Sequence, residues 1–424
     1  MSPEILPGKL GPATVFRLGW RNLRRNRRRT WITATTVGLA VFFLQITWSM
    51  IVGIERQSYD NLINYQTGHA KLYATGYFEM RDELPLDHSL KDLDAIQASV
   101  SSVDGVVATT PRLAFQAQLS DGADQIPCLG IGIQVWGSDT EVFRIPQAVV
   151  DGEYLSPGEE GMLLGSGLAE MFGLAVGDWV TVLARTKAGA YEAIDIPITG
   201  VIGTGNPLID QGSFFIPLET ARDMLGMEGE ATELAVRFSQ IASESATLAR
   251  INRAIADLDG LDLKGWRDAE EDFLAFAQMK RAGSVVFLAI FVVLALVGVT
   301  NTILMAAYER TREIGMMMAM GTRGAGIRGL FLTEGALNGL LGGAVGSLAA
   351  LAVIVYFATA GLDLQALYGD MDIGYPVKER MYFALDFVAV GTTWLLTGLL
   401  AAVASLYPAA RASRQDPVRA LRYV

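Results

Sequence analysis

The stretch WITATTVGLAVFFLQITWSMIVG, residues 31–53, runs for 23 residues without a charged side chain. About 20 residues of α-helix cross the hydrocarbon core of a bilayer, which is about 30 Å thick. Three further segments, 282–308, 330–361 and 387–407, are comparably long, and Glu334 is the one charged residue in them. The first segment is too long for a cleaved signal peptide and contains no A-x-A cleavage site. The sequence therefore predicts four transmembrane helices, the first of them a retained signal anchor.

The charges flanking these segments predict an orientation. Eight Lys and Arg residues lie in 1–30, four in 309–329 and four in 408–424, whereas the rest of the chain is acidic. Loops rich in Lys and Arg stay in the cytoplasm. Both termini and the middle segment are therefore expected inside, with 54–281 and 362–386 outside. The first 30 residues are expected to lie on the inner membrane surface as a basic interfacial segment.

Residues 54–281 are numerous enough to form a domain with its own core. Apolar residues at helical spacing between Leu90 and Val103 predict a helix, and a second helix is expected at about 243–258. Short apolar runs bounded by glycine and proline predict strands. These runs are 106–119, 126–135, 162–165, 179–184, 194–202, 213–217 and 261–266. The prediction is a large extracytoplasmic α+β domain, with 160–236 as a strand-rich insert.

The sequence argues against an enzyme. No G-x-x-x-x-G-K-[ST] motif is present, so ATP hydrolysis is expected on a separate subunit. Cys128 is the one cysteine, which excludes an internal disulfide, and the two histidines, His69 and His88, cannot form a histidine-rich metal site. We expect no catalytic residues, no metal, no cofactor and no nucleic-acid partner.

Residues 309–329, which we call the coupling segment, carry the most informative pattern. A charged run, ERTRE, is followed by IGMMMAM, which is apolar but too short to span a membrane, and then by Gly321. Unbranched methionine side chains adapt to the groove of a partner. The segment could therefore dock into a cytoplasmic subunit, or it could lie on the bilayer as an interfacial helix. The expected contact residues are Arg312, Glu313, Ile314, Gly315, Met316, Met317, Met318, Ala319, Met320 and Gly321.

The third predicted span contains four closely spaced glycines: Gly339, Gly342, Gly343 and Gly346. They form two overlapping G-x-x-x-G patterns, which allow another helix to approach closely. The neighbour could belong to this chain or to another subunit. Glu334, at the inner edge of the same span, could relay protons, or it could pair with water or a basic group.

Three segments of the chain resemble the FtsX-like, MacB-type permeases of ABC transporters. They are WRNLRRNRRRT at 20–30, the coupling segment with its continuation to LFLTEG at 330–335, and YPAARASRQDPVRAL at 407–421. Together with four spans and a large domain after the first, the resemblance covers the whole chain. In layout it is closest to the lipoprotein-releasing permeases.

The resemblance implies a permease subunit in the bacterial inner membrane. Its partners would be a dimer of ABC ATPases, a second permease copy or paralogue, membrane lipids, and a lipoprotein or another periplasmic partner. ATPase-driven motion would pass through the coupling segment to the extracytoplasmic domain, which would extract or move a lipoprotein, lipid or other amphiphile. The alternative is a mechanotransmitting scaffold that regulates an extracytoplasmic partner such as a cell-wall hydrolase.

Overall fold

The computed structural model describes residues 11–135, 137–239, 244–363 and 380–414. The chain forms two compact units. A helical unit comprises Met1–Gly53, Gln278–Leu362 and Tyr382–Val424, and a large domain comprises Ile54–Ala277 and Asp363–Met381. Residues 364–379 of the predicted outer loop, and 415–421 of the tail motif, lie outside the described residues.

The helices in the described part of the chain, in order, are α1 Pro12–Arg25, α2 Arg27–Asn61, α3 Leu93–Ser101, α4 Ser138–Val142, α5 Ser166–Phe172, α6 Pro207–Asp210, α7 Leu218–Leu225, α8 Glu244–Ala254, α9 Trp266–Ala269, α10 Glu271–Glu309, α11 Thr311–Ala319, α12 Gly324–Ala360, α13 Phe387–Ala404 and α14 Leu406–Ala412. A π-helical turn, Leu62–Thr67, follows α2, and 3₁₀ turns occupy Phe78–Glu83 and Ile145–Ala148.

The strands are β1 Ala70–Ala74, β2 Val106–Ser120, β3 Gln125–Ile133, β4 Val149–Gly152, β5 Met162–Gly165, β6 Trp179–Arg185, β7 Tyr191–Ile202, β8 Ser213–Pro217, β9 Glu233–Phe238, β10 Leu261–Gly265, β11 Leu362–Asp363 and β12 Arg380–Met381.

Four helical segments in the described residues are long and apolar enough to cross a membrane. They are Arg27–Thr67, Glu271–Glu309, Gly324–Ala360 and Phe387–Ala412. Three of them contain a predicted span, and the third along the chain, Gly324–Ala360, ends one residue before the predicted span 330–361 does. The prediction of four membrane helices, with one large domain between the first and the second, is confirmed. The helices extend past the uncharged runs. A charged residue is unfavourable inside the bilayer, but it is compatible with a helix and does not end one.

The large domain is built on one sheet that is organised around the long strand β2. Residues Val106–Arg112 of β2 pair with β9, and β9 continues through β1 to β10, all antiparallel. Helices α3 and α8 supply Ile96, Val100 and Ile251 to the core cluster on this half of the sheet. Beyond Arg112, β2 pairs with β3 on one side and with β6 on the other.

The second half of the sheet closes on itself. The pairing runs β2–β3–β8–β5–β7–β6 and returns to β2, so six strands in the described chain form a closed barrel. Its core includes Phe115 and Phe214, whose ring centroids lie 6.0 Å apart. The expectation of a strand-rich insert at 160–236 was therefore wrong in extent. The barrel also includes β2 and β3, which precede residue 160, whereas β9 pairs in the other half of the sheet. The barrel needs β2 and β3 because unpaired strand edges inside a domain leave backbone groups unsatisfied.

A buried ion pair lies where β2 passes from one half of the sheet to the other. Arg112 and Asp139 are 1% and 0% exposed, and their two contacts are Nε–Oδ1 at 2.9 Å and Nη2–Oδ2 at 3.2 Å. The guanidinium also stacks on Phe143, 3.3 Å from the ring centroid. Both charges are satisfied by each other, which is the condition under which buried charges are tolerated.

Candidate functional site

The coupling segment forms a short helix set between two breaks. Arg310, with φ −109° and ψ 19°, separates α10 from α11. After α11, Gly321 adopts φ +91°, and its N–H donates to the carbonyl of Met318 at 3.0 Å. A positive φ is readily adopted by glycine and strained for other residues. Gly321 therefore allows the tight turn that leads into α12.

One face of α11 packs on the membrane helices. Ile314 is 1% exposed, Gly315 is buried, and Ile314 belongs to a core cluster with Phe331 of α12 and Ala409 of α14. Met317 and Met318 are half-buried against the same cluster. These contacts hold α11 against the rest of the helical unit.

The opposite face of α11 is exposed. Met316 and Met320 are 46% and 79% exposed, and Arg312, Ala319 and Gly321 are exposed as well. Arg312, Met316 and Met320 are spaced four residues apart and so form one stripe along the helix. The sequence grouped all three residues with Ile314 and Met317, because a run of methionines has no periodicity that separates a buried face from an exposed one.

Ion pairs tie the coupling segment to the start of the chain. Arg25 of α1 contacts both carboxylate oxygens of Glu313, at 2.7 and 2.9 Å. Arg29 of α2 contacts Glu309 at 3.1 Å. The Arg25–Glu313 pair is about half exposed on both sides, and exposed pairs contribute at most about 1 kcal/mol.

Glu334 pairs with a basic group, one of the two roles that the sequence left open. Its Oε1 accepts from Nη1 of Arg310 at 2.9 Å and from Nδ2 of Asn22 at 2.5 Å. The sequence did not predict either donor. What the sequence did show was Glu334 itself, an acidic residue in an otherwise apolar span.

The four glycines of α12 face two different neighbours. A β-carbon added at Gly339 would lie 2.6 Å from Cβ of Ala401, and one at Gly343 would lie 3.1 Å from Cδ1 of Trp394, both on α13. A β-carbon added at Gly342 would lie 2.7 Å from the carbonyl oxygen of Ala34, and one at Gly346 would meet the backbone of Gly38, both on α2. Each glycine therefore faces a helix of the same chain.

In the large domain, the loop between β7 and β8 is held by a hydrogen-bond network. The carboxylate of Asp210 accepts from the backbone N–H groups of Thr204 and Gly205, at 2.9 and 2.8 Å. The side chain of Asn206 donates to Gln66, and Gln66 donates to Glu270, at 2.8 and 3.0 Å. No group of three or more metal-ligating side chains occurs in the described residues.

Glu270 gives the large domain a pH dependence. Burial raises its pKa from 4.5 to about 7, against the smaller lowering effects of Lys71 and Arg81, and Asp272 raises it further. The folded protein therefore binds this proton more tightly than the unfolded chain does, so stability falls as pH rises from about 4.5 to about 7. We expect the melting temperature of the wild type to fall below that of Glu270→Gln as pH rises from about 5 to about 8. If the melting temperatures of the two proteins changed with pH in parallel, the prediction would be wrong.

Two known families match separate parts of the chain. Residues 30–256 match the description "MacB-like periplasmic core domain", and residues 285–417 match "FtsX-like permease C-terminal". The first match alone covers more than half of the chain. This protein belongs to the FtsX-like permeases with a MacB-like periplasmic core domain.

The FtsX-like permease is similar over nearly its whole length to two named transporter proteins. It is 24% identical to the lipoprotein-releasing system transmembrane protein LolC of Neisseria meningitidis, over 96% of this chain and 98% of that protein. It is 22% identical to LolE of Haemophilus influenzae, over 96% and 99%. The macrolide export ATP-binding/permease protein MacB of Nitrobacter winogradskyi is 29% identical over 49% of this chain and 30% of that protein.

Solved structures with similarity to the permease include the periplasmic region of MacB from Actinobacillus actinomycetemcomitans. It covers 51% of this chain at 13% identity, with a TM-score of 0.35. The extracellular domain of the transporter YknZ covers 46% at 13% identity, with a TM-score of 0.34. The family and its full-length relatives make this chain a permease subunit of an ABC transporter in the bacterial inner membrane.

Proposed function

We propose that this FtsX-like permease converts ATPase-driven motion into the extraction or movement of a lipoprotein, lipid or other amphiphile at its large domain. A separate ATPase dimer docks on α11, and a second permease copy or a paralogue completes the complex. Both termini and the coupling segment lie in the cytoplasm, and the large domain lies outside. The full-length similarity to LolC and LolE supports a lipid-bearing substrate over the regulation of a cell-wall hydrolase.

The observation that carries the proposal is the division of α11 into two faces. Ile314 and Gly315 anchor the helix on the membrane helices, while Arg312, Met316 and Met320 form an exposed stripe. A helix that is fixed on one side and bears adaptable apolar side chains on the other suits insertion into a groove. Ala319 and Gly321 are exposed beside this stripe, and Glu313, Met317 and Met318 position it.

Met320→Asp tests the docking surface directly. A carboxylate placed at a desolvated interface centre should weaken ATPase binding by about 2 kcal/mol or more, which is about thirtyfold. The measurement is co-purification of the ATPase with tagged permease from native membranes, followed by titration of the purified subunits. Since Met320 is 79% exposed, the substitution leaves the fold of the permease intact.

Met171→Asp is the matched control. Met171 is 57% exposed on α5 of the large domain, so the same substitution adds the same charge to a helix of the large domain instead of to α11. The control should retain the ATPase at the wild-type level. If Met320→Asp also retains it, α11 is an interfacial helix and the docking proposal is wrong.

A further inference from the structure

A buried polar cluster lies where three segments of the helical unit meet. Arg310 occupies the break between α10 and α11, Glu334 lies about three turns into α12, and Asn22 lies on α1. The side chains of Arg310 and Glu334 are 11% and 8% exposed. The three residues are far apart in sequence, and a single oxygen, Oε1 of Glu334, accepts from both donors.

The place of Arg310 distinguishes it from the other arginines of this region. Arg310 interrupts the helix directly before α11, so its backbone connects α11 to α10. Any displacement of α11 relative to α10 therefore changes the position of Arg310. Its side chain ends on α12, while Arg25 and Arg29 contact Glu313 and Glu309 at sites where one or both partners are substantially exposed. A buried charge pair resists separation more strongly than an exposed one.

A small cavity lies beside the pair. A cavity of about 20 Å³ beside it is lined by Asn22, Arg29, Arg310, Glu334 and Asn338, among others. Asn338 lies one helical turn beyond Glu334, on the same face of α12. Its Oδ1 is buried and has no hydrogen-bond partner within the described part of the chain. Arg310 therefore has a second acceptor next to its present one.

We propose that Arg310 and Glu334 are the positioning pair that transfers the movement of α11 to α12, with Asn22 carrying the same movement to α1. This inference rests on the proposed docking of an ATPase on α11. The guanidinium links the two helices at a point where the backbone itself is broken. In this arrangement, displacement of α11 pulls on Glu334 and shifts the end of α12, by exchange of Arg310 between Glu334 and Asn338.

The test uses the complete complex of permease and ATPase and follows amide hydrogen exchange with and without a non-hydrolysable ATP analogue. In the wild type, both α11 and residues 324–340 of α12 should respond to the nucleotide. Arg310→Met keeps the aliphatic stem and removes the guanidinium. It should leave the response of α11 unchanged and reduce the response of α12 on the order of tenfold, a usual size for coupling between two sites. Arg310→Lys should restore part of the response.

Arg25→Met is the matched control, because it removes the guanidinium of an exposed pair in the same region. It should leave the α12 response at the wild-type level. If Arg310→Met does not yield monodisperse protein, Glu334→Gln replaces it, and the same loss is expected. An unchanged α12 response in either variant refutes the positioning role.

The two proposals fail in different ways. Absence of ATPase co-purification, or of a nucleotide response in wild-type α11, refutes the proposed function and this inference with it. A normal α11 response with an unaltered α12 response in Arg310→Met refutes the inference alone.

Discussion

Arg112→Met is expected to destabilise the large domain by about 3–5 kcal/mol, the usual cost of removing one partner of a buried ion pair. Asp139 would be left fully buried without its counter-ion, and Phe143 would lose the guanidinium that stacks on it. Amide exchange of β2 and α4 in the full chain should accelerate by about a hundredfold or more, since about 1.4 kcal/mol corresponds to a factor of ten.

Two further variants make this prediction specific. Arg250→Met breaks an ion pair with Asp104, whose side chain is 97% exposed, and should cost less than about 1 kcal/mol. Adding Asp139→Leu to Arg112→Met removes the orphaned charge and should recover a large part of the loss. Slow, wild-type exchange in Arg112→Met would mean that the pair contributes nothing to the junction of the two sheet halves.

Gly346→Ala should be strongly destabilising in the helical unit. The added β-carbon would collide with the carbonyl oxygen of Gly38 and lie 2.9 Å from its Cα, and neither atom belongs to a flexible side chain. The helices α2 and α12 would have to separate, which forfeits packing along their whole contact. Overpacking of this kind typically costs about 1–3 kcal/mol and occasionally more. Thermal melting and the monodisperse yield in detergent should both fall.

Gly391→Ala is the matched control on α13. No atom lies within 4 Å of a β-carbon added at Gly391. Alanine favours a helix over glycine by about 1 kcal/mol, so this variant should melt at or slightly above the wild-type temperature. Equal melting temperatures for the two alanine variants would show that α2 and α12 do not need their close approach.

Much of the fold was accessible from the sequence, because the decisive patterns are local. The uncharged run at 31–53 lies inside α2, and the apolar runs at 162–165 and 213–217 coincide with β5 and β8. A buried strand between glycine and proline turns can be recognised from its sequence, because its residues are apolar. The sequence does not show in the same way which strands pair with each other. The closure of β2 on β6 depends on residues about 64 positions apart, and no pattern in either strand identifies the other.

The site was accessible in part for the same reason. The coupling segment was recognised from its charges, its apolar run and Gly321, which are contiguous. Which face of α11 is buried depends on Phe331 and Ala409, which pack on Ile314 from other helices. The Arg310–Glu334 and Arg112–Asp139 pairs are 24 and 27 residues apart and follow no helical or strand spacing. Tertiary contacts of this kind need coordinates.

The pairing of β1 with β10 has a consequence for how such proteins can diversify. Ala70 lies opposite Gly265, so the first and last strands within Ile54–Ala277 are neighbours, at a strand spacing of about 4.8 Å. A domain whose ends are adjacent can be inserted into a host chain, enlarged, trimmed or exchanged without stretching the flanking segments. Residues 70–265 can therefore be exchanged as one block, and chimaeras that carry a foreign domain with adjacent ends in their place should keep the flanking helices intact.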